Sequence, residues 1–388
     1  SSSSSSSSGG EEGGGSRDVL ASELLSARVQ IAETKQQKYH AHLIRDRNQE
    51  CFKDLALDTL PLTSFYLLAD YWAKVGIGKK GETACCEGGQ VGLSAHGGLF
   101  VYRNPTKDER TEIDRIHGAV DWSNFPAASN DGGTQFLEEH FDIYCDDAKQ
   151  NNYHTKSVID ASVASFVEGR PWLKGAREAR MQSDNASNYR DPTTEVDCGF
   201  IGTRVFSVEG MGKGEEDANA ATAKEKFKRM RDEGNGIESA DDLLALGTRM
   251  DLDGQIHAKL KLQRTNEDSG IKGCDPVSRN YGMWTIDETD ITFFESFDVL
   301  ASEASMRTTG RAVGYGPGVK VKLTEFNKKQ RTQLAPTGAT LEMADGSASA
   351  PPNPKERSGR GETIVKKIAA EQKKAEATAA AAQKRRAL

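Results

Sequence analysis

The stretch RMQSDNASNYRDP, residues 180–192, decides how the rest of the chain is read. It opens like a short strand, and then an acidic residue, Asp184, is followed at once by small, polar turn formers. A carboxylate that closes a central strand stands where it can face a metal ion. The competing reading is an Asx-type turn, with Ser183 and Asn185 satisfying backbone groups.

Upstream, LPLTSFYLLADYW at 60–72 starts at a proline and reads as a buried strand that carries Asp70 near its end. VGLSAHGGLFVYR at 91–103 and HFDIYCDD at 140–147 supply a second and a third strand, separated by a polar insertion at about 104–136. In NNYHTKSVIDASVASFVEG at 151–169, the positions Val158, Ile159, Val163, Phe166 and Val167 have helical spacing, and Gly169 and Pro171 stop the helix. REARMQSDNA is then a fourth strand and GTRVFSVEG at 202–210 a fifth. EEDANAATAKEKFKRMRDEG at 215–234 has an acidic first turn, a basic last turn and a closing glycine, which predicts a helix. A shorter helix follows at 239–250, capped by Ser239 with Asp242 three residues on. Beyond it, 283–300 reads as a hairpin and 310–323 as a Gly-rich turn entering a strand.

The flanks differ from this middle. Residues 1–18, opening SSSSSSSSGGEEGGGS, cannot build a core and are expected to be a disordered arm. Residues 19–58 are free of Gly and Pro and predict one or two lead-in helices, with Leu24, Leu25, Val29 and Ile31 as an apolar set. The core is expected over 59–326, a linker over 327–354, and a basic, Ala-rich helical or disordered tail over 355–388. The net charge of −7 is uneven: the tail region from Asn353 carries a surplus of about six positive charges, which leaves an acidic body. The runs KKIAAEQKK and QKRR fit a nuclear localisation signal or a nonspecific DNA contact as well as a solvated end.

Composition removes several classes. No apolar window is long enough to span a bilayer and no signal segment opens the chain, so an intracellular protein without a membrane partner is expected. The cysteines are scattered without paired knuckles; Cys85, Cys86 and His96 make at most half of a zinc site. GMGKGE at 210–215 lacks the spacing and the Ser or Thr of a phosphate loop, and GYGPG at 314–318 reads as a turn, so no small-molecule cofactor is expected.

Three strands of a meander, a crossover helix, then two strands and a helix is the element order of the ribonuclease H-like fold. An α/β architecture follows: a mixed five-stranded sheet flanked by helices, between disordered termini. In that sheet the first and fourth strands are parallel neighbours, so Asp70 and Asp184 would meet at the ligand-binding switch point. The helix beginning near Gly214 would bring Glu215, Glu216 and Asp217. Carboxylates this close repel one another, and a shared divalent cation, Mg²⁺ or Mn²⁺, is their natural partner.

These residues carry a resemblance. SDNASNY at 183–189 resembles the motif that follows the fourth strand in integrase-like DDE transposases of eukaryotes, and LLADYW at 67–72 stands where that family has its first Asp. AHGGLFVYR and YCDDAKQNNYHTK are similar to its second strand and to its third strand with the following helix. VFSVEGMGKGEEDANAATAKEKFKRM is similar to its segment in which a GK turn precedes an acidic residue on a helix. The resemblance spans roughly 60–325 and implies metal-dependent phosphodiester cleavage or strand transfer on DNA, with a homo-oligomer as one assembly. By the motif, Asp217 is preferred as the third catalytic carboxylate beside Asp70 and Asp184, with Glu216 as a further metal ligand. The family's pattern is departed from in the 114 residues between Asp70 and Asp184, which require an insertion.

Other classes remain open. A domesticated, inactive core serving as a protein or nucleic-acid interaction module fits the acidic body and the lack of a recognisable DNA-binding motif. A ribonuclease H or proofreading-type exonuclease fits less well, because Trp72 stands where the latter carries its second acidic residue. Asp142, Asp146 and Asp147 are alternatives to Asp70, and His96 or His154 could assist at a phosphate. Asn185, Asn188 and Tyr189 are either turn stabilisers or contacts to a nucleic-acid backbone.

Overall fold

The computed structural model describes residues 14–72, 75–76, 92–128, 135–175, 178–184, 189, 201–207, 215–249, 255–262, 282–287, 289–295, 299–309, 311–314, 318–322, 338–347 and 352–357; for 14–22, 42, 215–217 and 299–301 it describes the backbone alone. Two compact units are separated after Arg47. The first holds the exposed part of a long helix, α1 (Gly14–Asp58), and the second begins within that helix at Asn48.

After α1 come β1 (Phe65–Tyr71), β2 (Val75–Gly76), β3 (Gly92–Arg103), α2 (Lys107–His117), β4 (Phe136–Cys145), α3 (Asn152–Glu168), β5 (Ala179–Ser183) and β6 (Ile201–Phe206). Then follow α4 (Glu215–Asp232), α5 (Ala240–Arg249), β7 (Gln255–Lys261), β8 (Met283–Ile286), β9 (Asp290–Phe294), α6 (Val299–Thr309), β10 (Val319–Lys322), β11 (Thr340–Met343) and β12 (Lys355–Glu356). The main sheet is mixed and runs β10-β9-β8-β6-β5-β1-β3-β4-β7-β11, with β12 beside β4 and β2 beside β3. At its centre, β1, β3 and β4 form an antiparallel meander, and β5 and β6 add parallel to β1.

The five expected strands are therefore present, but a five-stranded sheet is too small. β8, β9 and β10 extend it beyond β6, while β7 and β11 extend it beyond β4. The segment expected as linker and the first residues of the expected tail also belong to it, as β11 and β12. Leu341 and Met343 of β11 are buried against the core beside β7, and β12 pairs with Glu138 and Leu137. The sequences TLEM and KE are too short to carry a period-two signal, and their pairing with β7 and β4 decides them.

Period-two alternation divides the strands between two faces. On one, Phe65, Leu67, Phe100, Tyr102 and Phe141 pack beneath α3, whose Phe166 ring stacks 4.0 Å from Phe100. Asn151 caps that helix by accepting from the His154 backbone N–H at 2.9 Å. On the other face, Tyr66, Leu68, Leu99 and Val101 pack with Phe52, Leu55 and Ala56 of α1. Farther along that face, Trp72, Leu93, Ala95 and Tyr144 pack with Ala220, Ala223 and Phe227 of α4 and with Leu243 and Leu244 of α5.

The insertion is ordered locally. Thr106 and Glu109 close a reciprocal capping box on α2, and the Trp122 ring lies between the Arg110 guanidinium at 4.6 Å and the Trp172 ring at 4.9 Å. Behind β4, the buried Arg170 guanidinium pairs with the buried Glu139 carboxylate, which also accepts from Tyr102 Oη at 2.5 Å and from the Asn353 backbone N–H at 3.1 Å. A buried charge needs such a set of partners, and this one ties the 352–357 segment to the sheet.

Candidate metal site at the ends of β1 and β5

The parallel pair β1–β5 runs in register through Tyr66↔Arg180, Leu67↔Met181, Leu68↔Gln182 and Ala69↔Ser183. The residue that follows each of the last pair is the expected carboxylate: Asp70, one residue before the end of β1, and Asp184, directly after β5. Neighbouring strands lie about 4.8 Å apart, close enough for two carboxylates to share one cation. By alternation Asp70 falls on the face of Tyr66, whose hydroxyl donates to Gln182 at 2.7 Å, while Asp184 lies just beyond β5 and its charge acts on Tyr71, Tyr189 and Arg204. Each residue is half-buried.

The third expected carboxylate is placed by backbone alone. α4 begins at Glu215, which puts Glu216 and Asp217 in its first turn, and their side chains lie outside the described residues. The helix packs against β1 and β3. Asn219, two residues after Asp217, contacts His140 Nδ1 at 2.5 Å, and His140 shares the face that carries Asp70. Among the described residues, no group of three or more His, Cys, Asp or Glu side chains converges as a metal cage. Two carboxylates in matched register offer hard oxygen donors suited to Mg²⁺ or Mn²⁺, and they fit such an ion as the start of a ligand set.

Beneath the strand ends lies a buried network that the sequence reading did not assemble. Tyr189, the last residue of SDNASNY, is fully buried, and its hydroxyl lies 2.5 Å from His96 Nε2. His96 pairs across the sheet with Tyr71, whose hydroxyl lies 2.5 Å from His154 Nδ1 and accepts from Thr155 Oγ1 at 3.2 Å. Burial pushes His96 down to about 3 and His154 down to about 4, so both rings are neutral near pH 7. Both histidines are thus enclosed and bonded to tyrosines. Tyr189 is a buried anchor rather than a surface contact, whereas Asn185 and Asn188 lie outside the described residues.

Arg204 completes the site from β6. Its guanidinium is fully buried, donates to Ser183 Oγ at 3.0 Å and stacks 5.3 Å from the Tyr189 ring and 5.2 Å from Phe206. Burial pulls it down to about 9, and the neighbouring Tyr189 and the Asp184 carboxylate oppose that fall. No sequence signal marks it, because a buried arginine is explained only by tertiary partners.

The alternative acids have structural work. Asp142 is buried with its Oδ2 3.5 Å from His257 Nδ1, Asp146 accepts from the Ala240 backbone N–H at 2.7 Å at the start of α5, and Asp147 accepts from the Lys149 backbone N–H at 2.8 Å. β4 is separated from β5 by β3 and β1, so none of the three stands beside Asp184. Cys85, Cys86 and the GMGKG turn lie outside the described residues. No helix among the described residues is long and apolar enough to cross a membrane.

No protein-family model matches this chain, and no curated protein matches it either.

Proposed function

We propose that the chain is a ribonuclease H-like core of the DDE-transposase type, performing metal-dependent phosphodiester cleavage or strand transfer on DNA. The observation that carries this reading is the register Ala69↔Ser183, after which Asp70 and Asp184 are the next residues of the two parallel-paired segments. The central order β4-β3-β1-β5-β6, an antiparallel meander followed by a crossover through α3, supports it.

In this reading Asp70 and Asp184 hold a divalent cation, and an acidic side chain from the first turn of α4, Asp217 or Glu216, completes the set. The bound ion supplies Lewis acidity toward a phosphodiester and lowers the pKa of water or of a DNA 3′ hydroxyl. The protein's share is positioning. Ser183, held by Arg204, fixes the end of β5, and Tyr189 anchors the segment after Asp184 onto β3 through His96.

The competing function is an inactive core that acts as an interaction module. It is favoured by Arg204, whose positive charge already acts on Asp184 from within the protein. A thermal melt with and without Mn²⁺, on the full chain and on Asp184→Asn, separates the two. Ion at tenfold its dissociation constant stabilises a one-site native state by about 1.4 kcal/mol. A Mn²⁺ shift in the unmutated chain that Asp184→Asn lacks supports the metal reading and leads to cleavage assays on DNA. Equal response, or none, supports the module.

A further inference from the structure

We infer that the exposed part of α1 is a self-association helix, and that a second copy of this chain docks along it as a parallel two-stranded coiled coil over residues 25–43. The same helix behaves differently at its two ends. From Gln49 onward it is a core helix, with Cys51, Phe52, Leu55 and Ala56 buried. Over residues 23–45 nearly every described side chain is exposed, including Leu25 at 64%, Tyr39 at 60% and Val29 at 48%. Helices in water draw most of their stability from packing an apolar face, and this stretch has apolar side chains facing solvent.

The occupant follows from the spacing. Leu25, Val29, Ala32, Gln36, Tyr39 and Leu43 succeed one another at intervals of four and three, the repeat that lines one seam of a coiled coil. Leu25 at a d position and Val29 at the next a position follow the two-stranded preference for leucine at d and a β-branched residue at a, and the small Ala32 takes the d position after them. Gln36, the single polar member within the seam, would fix the register by pairing with itself across the parallel dimer. Beside the seam, Arg28 takes a g position and Glu33 the following e position, the two that meet between parallel strands with opposite charge. The repeat ends where it should: the next two seam positions are Asp46 and Glu50, and the core begins at Asn48.

This inference is independent of the carboxylate site. Its test uses the full chain with three single-cysteine additions, sedimentation and mild oxidation. The unmutated chain is expected to sediment at twice its monomer mass at micromolar concentration. The pair Val29→Asp and Leu43→Asp is expected to return it to the monomer mass without lowering the melt of the core. Gln36→Cys should give a covalent dimer on oxidation, while Gln30→Cys, on the opposite face, and the unmutated chain with its native cysteines should not. A monomeric unmutated chain overturns the inference, as does cross-linking at Gln30→Cys equal to that at Gln36→Cys. A mixture of Ala32→Cys and Gln36→Cys that cross-links when Gln36→Cys alone does not overturns the parallel arrangement.

Discussion

Tyr189 Oη lies 2.5 Å from His96 Nε2, and this one bond joins the segment that follows Asp184 to the strand that runs beside Asp70. The neutral ring carries a single proton, so the bond runs from Tyr189 Oη to Nε2 or from Nε2–H to Oη according to the tautomer. Tyr189→Phe keeps the ring contacts with Tyr71, His96 and Arg204 and removes only the hydroxyl. It leaves the buried His96 Nε2 unpaired, at a cost of about 1–3 kcal/mol. A urea titration should show that loss as a lower midpoint at unchanged slope. An unchanged midpoint would mean that the phenol, despite its burial, contributes no net stability.

Stability should pass through a maximum near pH 6.5. Burial lowers His96 to about 3 and His154 and His257 to about 4, so between pH 4 and 6.5 the unfolded chain binds protons on these rings that the folded chain does not. Stability rises with pH across that window. Asp142 acts oppositely: burial raises it to about 8, so the folded chain keeps a proton that the unfolded chain has released above about pH 4. Three rings outweigh one carboxyl below pH 6.5, and above it Asp142 alone remains, so stability falls toward pH 8. Urea midpoints measured from pH 4.5 to 8.5 test the shape, and Asp142→Asn should abolish the alkaline fall. A curve that climbs steadily to pH 8 would contradict the buried, protonated carboxyl.

The order of the central strands was legible because they are short apolar runs bounded by polar residues: LPLTSFYLLADYW and HFDIYCDD bury side chains on both faces, and the helix over 152–168 keeps its spacing. Asp70 and Asp184 were legible as strand ends for the same reason. β7 was passed over in the sequence, although QIHAKLK alternates polar and apolar residues as a half-covered strand does. Its Ile256, Ala258 and Leu260 alternate into the core, while on the other face His257 meets Tyr144 Oη at 2.9 Å and Lys259 meets Asp241 at 2.5 Å. Tyr71 and Arg204 carry no local signal, because each is explained by partners more than twenty residues away.

Gly247 of α5 is required by close approach rather than by backbone angle. A Cβ there would lie 2.8 Å from both His257 Nδ1 and Tyr144 Oη, two groups held by each other and by the sheet. Gly247→Ala should therefore destabilise by about 1–3 kcal/mol through overpacking, although alanine is the better helix former. Thermal melts at pH 6.5 read this directly, and a stabilised variant would show that α5 can move away from β7 without cost.

Arg170→Met should be the most damaging of the single changes considered. The guanidinium is fully buried, donates to Glu139 Oε1 at 2.8 Å through Nε and to the Phe166 carbonyl at 2.7 Å, and stacks 4.3 Å from the Phe166 ring. Methionine fills much of the volume but leaves the buried Glu139 carboxylate without its cation, which costs about 3–5 kcal/mol. The double change Arg170→Met with Glu139→Gln should recover part of that loss, because no charge is then stranded. A double variant no more stable than the single one would place the damage in packing around Phe166 instead.

Arg204→Met distinguishes the two functional readings from inside the protein. The substitution removes the donor to Ser183 Oγ and the cation stacked against Tyr189, Phe206 and Trp284, and so destabilises the chain by about 2–4 kcal/mol. It also removes the internal positive charge that acts on Asp184. If Arg204 is the permanent counter-charge of an inactive core, Mn²⁺ should stabilise the variant while leaving the unmutated chain unmoved. If Asp184 and Asp70 hold an ion alongside Arg204, Mn²⁺ should stabilise both, with the larger shift in the variant because a competing cation is gone. Thermal melts of both chains across a Mn²⁺ series settle the order, and a variant that responds less than the unmutated chain would make Arg204 a support of the metal site rather than its rival.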